Sequence, residues 1–493
     1  MKIALKKSKI YSVIAFVCFF LGTASFSIGQ TWDEVIKLTA SDASENDWFG
    51  NSVSISGQQA IVGAKLNDDD GAESGAVYIF QLEGDTWVEV QKLTAMDAAE
   101  YDNFGTSVAI SGERAIVGAN LNDDDGSNSG AAYIFELVGD TWVEIEKLTA
   151  SDAAESDEFG SSVSISGDRV IIGAYFNDDE GLSSGSAYIF EVIGDSWVET
   201  QKLTPADAEE NIQFGIAVSI SGERAIVGAR QDSDDALYSG SAYIFELAGD
   251  TWVEVEKLTA SDAAAVDEFA NSVCISGDRA IIGSRYNDDD GDDSGSAYIF
   301  ELVGDTWVET QKLTASDATT NDYFGFSVSI FGDRAIVGAY QNDDSGSNSG
   351  SAYIFNKVGD TWVEIEKITA SDAAAGDAFG LSVSISSDQA IIGAWRASED
   401  DRGAAYIFED SSLGIDKLDF NNITVFPNPT SDQVTIELEG EFTYSLLALN
   451  GKILSTTKAV NRVSLDLSEF ATGIYFLEIQ SENLSKLVKL VKQ

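Results

Sequence analysis

Short apolar runs alternate with polar turns along this chain, and the whole pattern repeats with a fixed period. Tryptophans mark the period, since each lies 55 residues after the one before: Trp32, Trp87, Trp142, Trp197, Trp252, Trp307 and Trp362. In the second unit, stretches rich in Val, Ile, Tyr and Phe predict strands at roughly 106–111, 114–119, 131–137 and 141–149. Two tight turns, Ser-Gly-Glu-Arg and Gly-Asp, and one longer acidic loop connect these strands.

The repeated unit predicts the fold class. Four antiparallel strands per unit, repeated seven times, indicate an all-β protein with a seven-bladed β-propeller. A solenoid is the alternative, but it needs atypical capping units, and none of these units looks atypical. The seventh unit lacks its Trp strand, whereas residues 31–39 form a Trp strand without a unit of their own. We therefore predict that residues 31–39 pair with residues 404–408 and close the ring.

The alternating strand direction assigns the connections to two faces of the propeller. The tight turns share one face, which we call the hairpin face. The acidic loops between second and third strands and the blade-to-blade connections share the other, which we call the long-loop face. Binding residues concentrate on long loops, so this face is the predicted location of any function.

The chain divides into four predicted segments. Residues 1–29 have the features of a signal peptide, because lysines precede an apolar run too short to span a bilayer and small residues follow it. Residues 30–410 are the propeller, 411–421 a polar linker, and 422–493 a C-terminal domain. No other stretch is long and apolar enough to predict a transmembrane segment in the mature chain.

The composition restricts the chemistry. The chain has 83 acidic and 29 basic residues, no histidine and a net charge of -54 at pH 7. Without histidine, Ser-His-Asp and Cys-His catalysis and most zinc, copper and haem sites are excluded. The charge disfavours nucleic acid and anionic membranes as partners. It is consistent either with solubility of a repetitive β protein or with cation binding. Cys274 replaces a serine or alanine of the other units and is predicted to be a small buried residue.

Each unit carries a Phe-Gly pair, followed fourteen residues later by a Gly-Ala pair, as at 49–50 and 63–64. On these pairs, residues 31–408 resemble FG-GAP repeats, a family that builds the seven-bladed propeller of integrin α-subunits and of many bacterial surface proteins. The fifth unit departs from the pattern with Phe-Ala at 269–270, and the proline of the family name is absent throughout.

The calcium motif of that family does not transfer to this chain. In integrin-type repeats it lies between the Phe-Gly and Gly-Ala strands, where this chain has only a tight turn. A different calcium site in the acidic loops is the alternative to ordinary solvated turn chemistry, and calcium is the only cofactor considered. The candidate ligands are aspartates of three loops: Asp68, Asp69, Asp70, Asp123, Asp124, Asp125, Asp288, Asp289 and Asp290.

Residues 422–493 are unlike the repeats. They contain Val-Phe-Pro-Asn-Pro-Thr at 425–430, Leu-Asn-Gly-Lys at 449–452 and Gly-Ile-Tyr-Phe-Leu at 473–477. This ordered set resembles the type A sorting domain of the type IX secretion system. The resemblance implies contact with that secretion machinery, outer-membrane translocation in a Gram-negative bacterium, removal of the domain, and either release or attachment to the cell surface. Alternating strands predict a small β-sandwich for this domain.

The candidate ligand residues are those that vary between otherwise near-identical units. The repeated tryptophans are better interpreted as packing between blades than as sugar-stacking rings. The residue after each Gly-Ala or Gly-Ser pair, and sometimes its neighbour, is instead an aromatic or cationic type common in binding hot spots. Neutral drift at exposed positions is the alternative. The predicted ligand-binding residues are Tyr175, Arg230, Arg285, Tyr286, Tyr340, Trp395 and Arg396.

Three classes of function remain. The leading hypothesis is a secreted or surface-attached, non-catalytic propeller for adhesion to, or binding of, an extracellular protein or glycan. A structural surface protein without a discrete ligand is the second. The third is a carboxylate-based glycosidase, which needs two acids of differing pKa at a defined spacing. No acidic residue is unique to one unit near a predicted cleft, so catalysis is not expected.

Overall fold

A computed structural model of the chain describes residues 32–398, 400–411, 424–426, 429–430, 433–448, 452–468, 470–481 and 484–492. The predicted signal peptide and nearly all of the predicted linker lie outside these residues. The described part of the chain is all-β, with seven four-stranded antiparallel sheets and a separate C-terminal sheet. The seven sheets are the blades of a propeller.

The strands take equivalent places in each blade. The innermost strands are β2 (Phe49–Ser56), β6 (Ser107–Ser111), β10 (Ser162–Ser166), β14 (Phe214–Ser221), β18 (Phe269–Ser276), β22 (Ser327–Phe331) and β26 (Ser382–Ser386). The second strands are β3 (Gln59–Ala64), β7 (Arg114–Ala119), β11 (Arg169–Ala174), β15 (Arg224–Ala229), β19 (Arg279–Ser284), β23 (Arg334–Ala339) and β27 (Gln389–Ala394). The third strands are β4 (Ala76–Glu83), β8 (Ala131–Val138), β12 (Ser186–Ile193), β16 (Ser241–Ala248), β20 (Ser296–Val303), β24 (Ser351–Val358) and β28 (Ala404–Asp410). The outermost strands are β5 (Thr86–Leu93), β9 (Thr141–Leu148), β13 (Ser196–Leu203), β17 (Thr251–Leu258), β21 (Thr306–Leu313), β25 (Thr361–Ile368) and β1 (Trp32–Leu38).

The N-terminal strand completes the seventh blade. Its sheet has the order β1-β28-β27-β26, with Trp32 opposite Asp410 and Leu38 opposite Ala405. The innermost strands β2 and β26 contact each other, as every other pair of consecutive innermost strands does. The ring is therefore closed, and the predictions of seven blades and of closure by the first strand are confirmed.

The core lies between the blades. The second and third strands are buried on both faces, which explains continuous apolar runs such as Ala-Ile-Val-Gly-Ala in β3. The outermost strands bury only some of their side chains. Trp87 is 4% exposed and packs in one cluster with Phe49 of its own blade and Ile391 of the seventh blade. The tryptophans thus pack between blades, as the sequence predicted.

Backbone contacts join consecutive blades on the long-loop face. The amide of Phe104 donates to the carbonyl of Ser74 at 3.0 Å, so the β3–β4 loop of one blade is bonded to the segment that enters the next blade. Gly75 lies beside this contact with a φ of +86°, and a Cβ atom there would lie 2.0 Å from the Phe104 carbonyl oxygen. Only glycine permits this approach. The two classes of long connection therefore share one face, as predicted.

The C-terminal domain is a five-stranded antiparallel sheet. Its strands are β29 (Thr424–Phe426), β30 (Gln433–Ala448), β31 (Ile453–Asp466), β32 (Gly473–Ser481) and β33 (Leu484–Lys492), in the order β29-β30-β32-β33 with β31 paired to β30. A bridge between Thr430 and Lys492 nearly closes the sheet. Val434, Leu446 and Leu477 are fully buried in its own apolar core. Alternation of apolar and polar residues predicts strands at 433–438 and 474–479, and both are present in longer form as β30 and β32.

Candidate functional site

The innermost strands surround a cavity of about 540 Å³, which we call the central cavity. Because residues from six blades line it, it must lie on the propeller axis. They come from three positions of the repeat: before and after Phe-Gly, and after Gly-Ala, all at the long-loop ends of their strands. The lining residues are Trp48, Asn51, Lys65, Thr106, Asn120, Ser161, Tyr175, Ile216, Phe326, Leu381 and Trp395.

The residue before each Phe-Gly pair has an unusual backbone. In every blade it has a positive φ between 48° and 59°, although none of these residues is glycine. They are Trp48, Asn103, Glu158, Gln213, Glu268, Tyr323 and Ala378. A positive φ costs a residue with a Cβ atom about 1 kcal/mol or more, and such strain is often found at functional sites. This position carries six residue types in the seven blades, and so does the position after Phe-Gly.

The predicted ligand residues lie in and around the central cavity in three groups, and of these residues Tyr175 and Trp395 line the cavity. In the first group, the Trp395 ring packs edge to face on Trp48, with ring centroids 4.2 Å apart. The Arg396 guanidinium lies 4.1 Å from the centroid of the Trp395 ring. The Lys65 ammonium lies 5.3 Å from the centroid of the Trp48 ring. Each of the two paired rings therefore has a cation near it, a favourable cation–π arrangement.

The second group is centred on Arg285. Its Nη2 donates to Glu268 Oε2 at 2.7 Å, and its guanidinium lies 4.5 Å from the Tyr286 ring and 5.5 Å from the Phe326 ring. The Tyr340 ring packs against Phe326 with centroids 4.4 Å apart. Phe326 lines the central cavity, and Arg285 and Tyr340 pack against it without lining the cavity themselves.

The third group contains Arg230 and Tyr175, and burial shifts the pKa values of its titrating side chains. The Arg230 Nε donates to Gln213 Oε1 at 2.8 Å, and burial lowers the pKa of Arg230. The Tyr175 hydroxyl donates to Glu158 Oε2 at 3.0 Å, and burial, followed by that carboxylate, raises the pKa of Tyr175. Burial also lowers the pKa of Lys65. Perturbed groups gathered at a cavity are typical of functional sites.

Sequence reasoning found only part of this wall. It singled out the residues after Gly-Ala in five blades, but it missed Trp48, Lys65, Glu158, Glu268 and Phe326. The signal was present, because the positions flanking Phe-Gly vary between units just as strongly. What the sequence alone does not show is that the three variable positions meet at the axis.

Other acidic residues have a structural role that repeats from blade to blade. Tyr78 donates its hydroxyl to Asp42 Oδ1 at 2.7 Å, and Lys92 Nζ donates to Asp42 Oδ2 at 2.8 Å. Lys92 also forms an ion pair with Asp69 in the acidic loop. The equivalent tyrosine, aspartate and lysine residues form the same contacts in the other blades.

The candidate calcium ligands are used differently within one loop. Asp68 Oδ1 accepts a hydrogen bond from the backbone of Glu73 at 2.7 Å, Asp69 pairs with Lys92, and Asp70 is exposed. Asp123–Asp125 and Asp288–Asp290 are arranged in the same way. In the described segments, no three acidic or cysteine side chains converge on a potential metal position. Calcium binding in these loops stays a hypothesis.

The fold and its axial cavity define a seven-bladed β-propeller with a variable centre and an invariant frame. The FG-GAP repeat model matches residues 32–80, 87–135, 142–190, 197–245, 252–300, 307–355 and 362–408. These segments make up more than half of the chain, so the chain belongs to the FG-GAP repeat family. Residues 424–493 match the secretion system C-terminal sorting domain, which supports export to the cell surface or the medium. No helix in the described segments has the length and apolarity to cross a bilayer.

Comparison with other proteins adds little about activity. No curated protein matches the chain. The Pyrococcus horikoshii acylaminoacyl peptidase is similar with a TM-score of 0.40 and 11% identity, over 78% of this chain and 57% of the peptidase. The β-propeller domain of the Trilobed protease from Pyrococcus furiosus has a TM-score of 0.37 and 11% identity, over 69% of this chain and 90% of that domain. The chain thus spans little more than half of the peptidase, and similarity at this level identifies no activity.

Proposed function

We propose that this chain is a secreted or cell-surface binding protein without catalytic activity, and that its ligand binds in the central cavity. One observation carries the proposal. The blades share their packing, turns and Tyr–Asp–Lys contacts, whereas the side chains that line the cavity differ from blade to blade. The repeated blades thus surround a cavity whose lining does not repeat, and such a cavity is suited to binding one specific ligand.

The chemistry of the cavity favours binding over reaction. Two carboxylates beside the cavity already have partners, since Glu158 accepts from Tyr175 and from Asn120, and Glu268 accepts from Arg285. A glycosidase would need two carboxyl groups that face a substrate and differ in pKa. Aromatic rings and arginine are instead the residue types enriched in binding hot spots.

The test is a binding screen of the secreted protein against glycans and extracellular-matrix proteins, followed by substitution. The triple variant R285Q/Y340A/W395A is expected to lose binding while keeping its melting temperature within a few degrees. Glutamine replaces arginine because its amide retains a donor for Glu268. The matched control is V138A/V303A/V358A on the hairpin face, where each valine is about 60% exposed.

The control is expected to bind normally. Loss of binding in the control, with the cavity variant still active, would place the site on the hairpin face. A structural surface protein would instead show no specific partner in the screen, and that result would reject the proposed binding function.

A further inference from the structure

The cations of the propeller fall into two classes. The repeated lysines, such as Lys92, are neutralised by aspartates, and the hairpin-face arginines, such as Arg114, are neutralised by Glu136 and Asp168. Lys65 belongs to neither class. Its ammonium forms no hydrogen bond or ion pair with any described residue, and the Trp48 ring is its nearest aromatic contact, at 5.3 Å.

A half-buried ammonium without a partner in an otherwise acidic protein needs an explanation. Glu158 and Glu73 act on Lys65 only from a distance, and burial without a direct counter-charge contact is unfavourable for a cation. Lys65 lines the central cavity, so it leaves positive charge there that the protein does not neutralise with a direct contact, and an anionic ligand group would neutralise it.

The rest of the wall fits a sugar ring. Trp48, Trp395, Tyr175 and Phe326 present partly exposed aromatic rings, and rings of this kind provide apolar surfaces for flat ligands. Asn120 Oδ1 and Trp395 Nε1 are buried and have no hydrogen-bond partner among the described residues. A side-chain movement that exposed them to the cavity would offer ligand hydroxyls one acceptor and one donor.

The surrounding charge limits how the ligand is presented. The acidic loops of the long-loop face encircle the cavity, and their exposed aspartates repel any polyanion that lies across the face. A single anionic group that enters along the axis avoids this repulsion. The volume of about 540 Å³ is in the range of small-ligand pockets.

We propose that the central cavity binds a carboxylated sugar at the end of a glycan chain, with Lys65 facing the carboxylate and the aromatic rings contacting the sugar. This inference rests on the proposed binding function and specifies its ligand class. Acidic peptides share the charge but have no rigid ring for the aromatic wall, so they are expected to bind weakly.

The test uses the secreted protein with D-glucuronate and D-galacturonate as probes, D-glucose and D-galactose as neutral matches, and an oligoglutamate peptide. Binding is measured by calorimetry and by the fluorescence of the cavity tryptophans. The sugar acids are expected to bind at least about tenfold more tightly than the neutral sugars, and K65M is expected to remove most of that difference. The control is R402Q, which removes an exposed cation of the long-loop face outside the cavity wall.

Several results would overturn the inference. They are equal binding of acid and neutral sugars, an unchanged preference in K65M, stronger binding of oligoglutamate, or no binding of any sugar probe. If no sugar binds but R285Q/Y340A/W395A still abolishes binding of a partner found in the screen, only the ligand class is wrong. If that variant retains partner binding, the proposed function fails as well.

Discussion

The buried tyrosines predict how the propeller responds to alkali. Tyr78 is fully buried and donates its hydroxyl to Asp42, and burial, followed by that carboxylate, raises the pKa of Tyr78 above its ordinary value of 10.0. Burial and a neighbouring aspartate act in the same direction on the equivalent residue of every other blade. These are Tyr133, Tyr188, Tyr243, Tyr298, Tyr353 and Tyr406.

The sign of the effect follows from proton linkage. Below pH 10 these tyrosines are protonated in both states, so their contribution to stability is fully present. Above pH 10 the unfolded chain loses the protons and the native state keeps them, so the free energy of unfolding falls as pH rises. At pH 11 the loss is about 1.4 kcal/mol per tyrosine and about 10 kcal/mol for the set. That loss is comparable with the whole stability of a typical protein, about 5–15 kcal/mol.

The repeated lysines act in the same direction. Burial opposes the shift, but hydrogen bonds to Asp42 and Asp69 raise the pKa of Lys92. Its stabilising contribution is therefore also lost as the pH rises above the ordinary lysine value. We expect the propeller to unfold cooperatively between about pH 10 and 11.5, with tyrosinate absorbance near 295 nm rising together with the loss of the far-ultraviolet circular dichroism.

The matched variants are Y188F and Y101F. Y188F removes one proton-linked group and is expected to reduce the pH dependence of the unfolding free energy by about one proton above pH 10. Tyr101 is 55% exposed, so Y101F should leave that slope unchanged. If the buried tyrosines ionise near pH 10 while the circular dichroism stays native, their hydroxyls are not held as the structure shows, and the reasoning is refuted.

Three other predictions concern closure, export and calcium. W32A should lower the free energy of unfolding, measured with denaturant, by about 3–5 kcal/mol, because Trp32 is only 3% exposed. The control V35A, at a position 40% exposed, should lower it by less than about 0.5 kcal/mol. Equal denaturation midpoints for the two variants would contradict closure by the first strand. Deletion of residues 422–493 should retain the propeller inside the cell, and the exported form should lack this segment; mass spectrometry that finds an intact C-terminus on the exported protein would argue against type IX processing. Millimolar calcium should raise the melting temperature no more than sodium chloride of equal ionic strength does, because Lys92 already neutralises Asp69. A larger rise with calcium would support a calcium site in the acidic loops.

The blade architecture could be predicted from the sequence because the repeat makes local signals unambiguous. The hairpin turns and the alternating apolar residues recur at a fixed period in each unit. A pattern that arose by chance in one unit would not recur in the others. The closing strand was predictable for a related reason, since one unit lacked a strand and one strand lacked a unit. Strand ends differed by a residue or two, as expected where fraying and bulges determine the boundary.

The cavity was harder to predict, because it depends on contacts between units rather than within one. Tyr175 follows β11 and Trp395 follows β27, and only closure of the ring brings them to one cavity. The positive φ of Glu158 and Glu268 was also invisible, since neither residue type signals a left-handed backbone. The neutralisation of the acidic loops could not be predicted either, because the sequence does not show that Lys92 and its equivalents contact the loop aspartates.

The contrast between Lys92 and Lys65 shows how a repeat protein separates scaffold from function. Any residue needed for blade packing must recur in each blade, because each interface is the same, and the Tyr–Asp–Lys contacts recur accordingly. A residue at the axis is released from that constraint, since the seven innermost strands meet there only once. Lys65, Arg230 and Arg285 are cations at repeat positions where the other blades carry neutral residues, so packing does not require them. Substituting them should therefore change binding far more than folding, whereas substituting Lys92 should do the reverse.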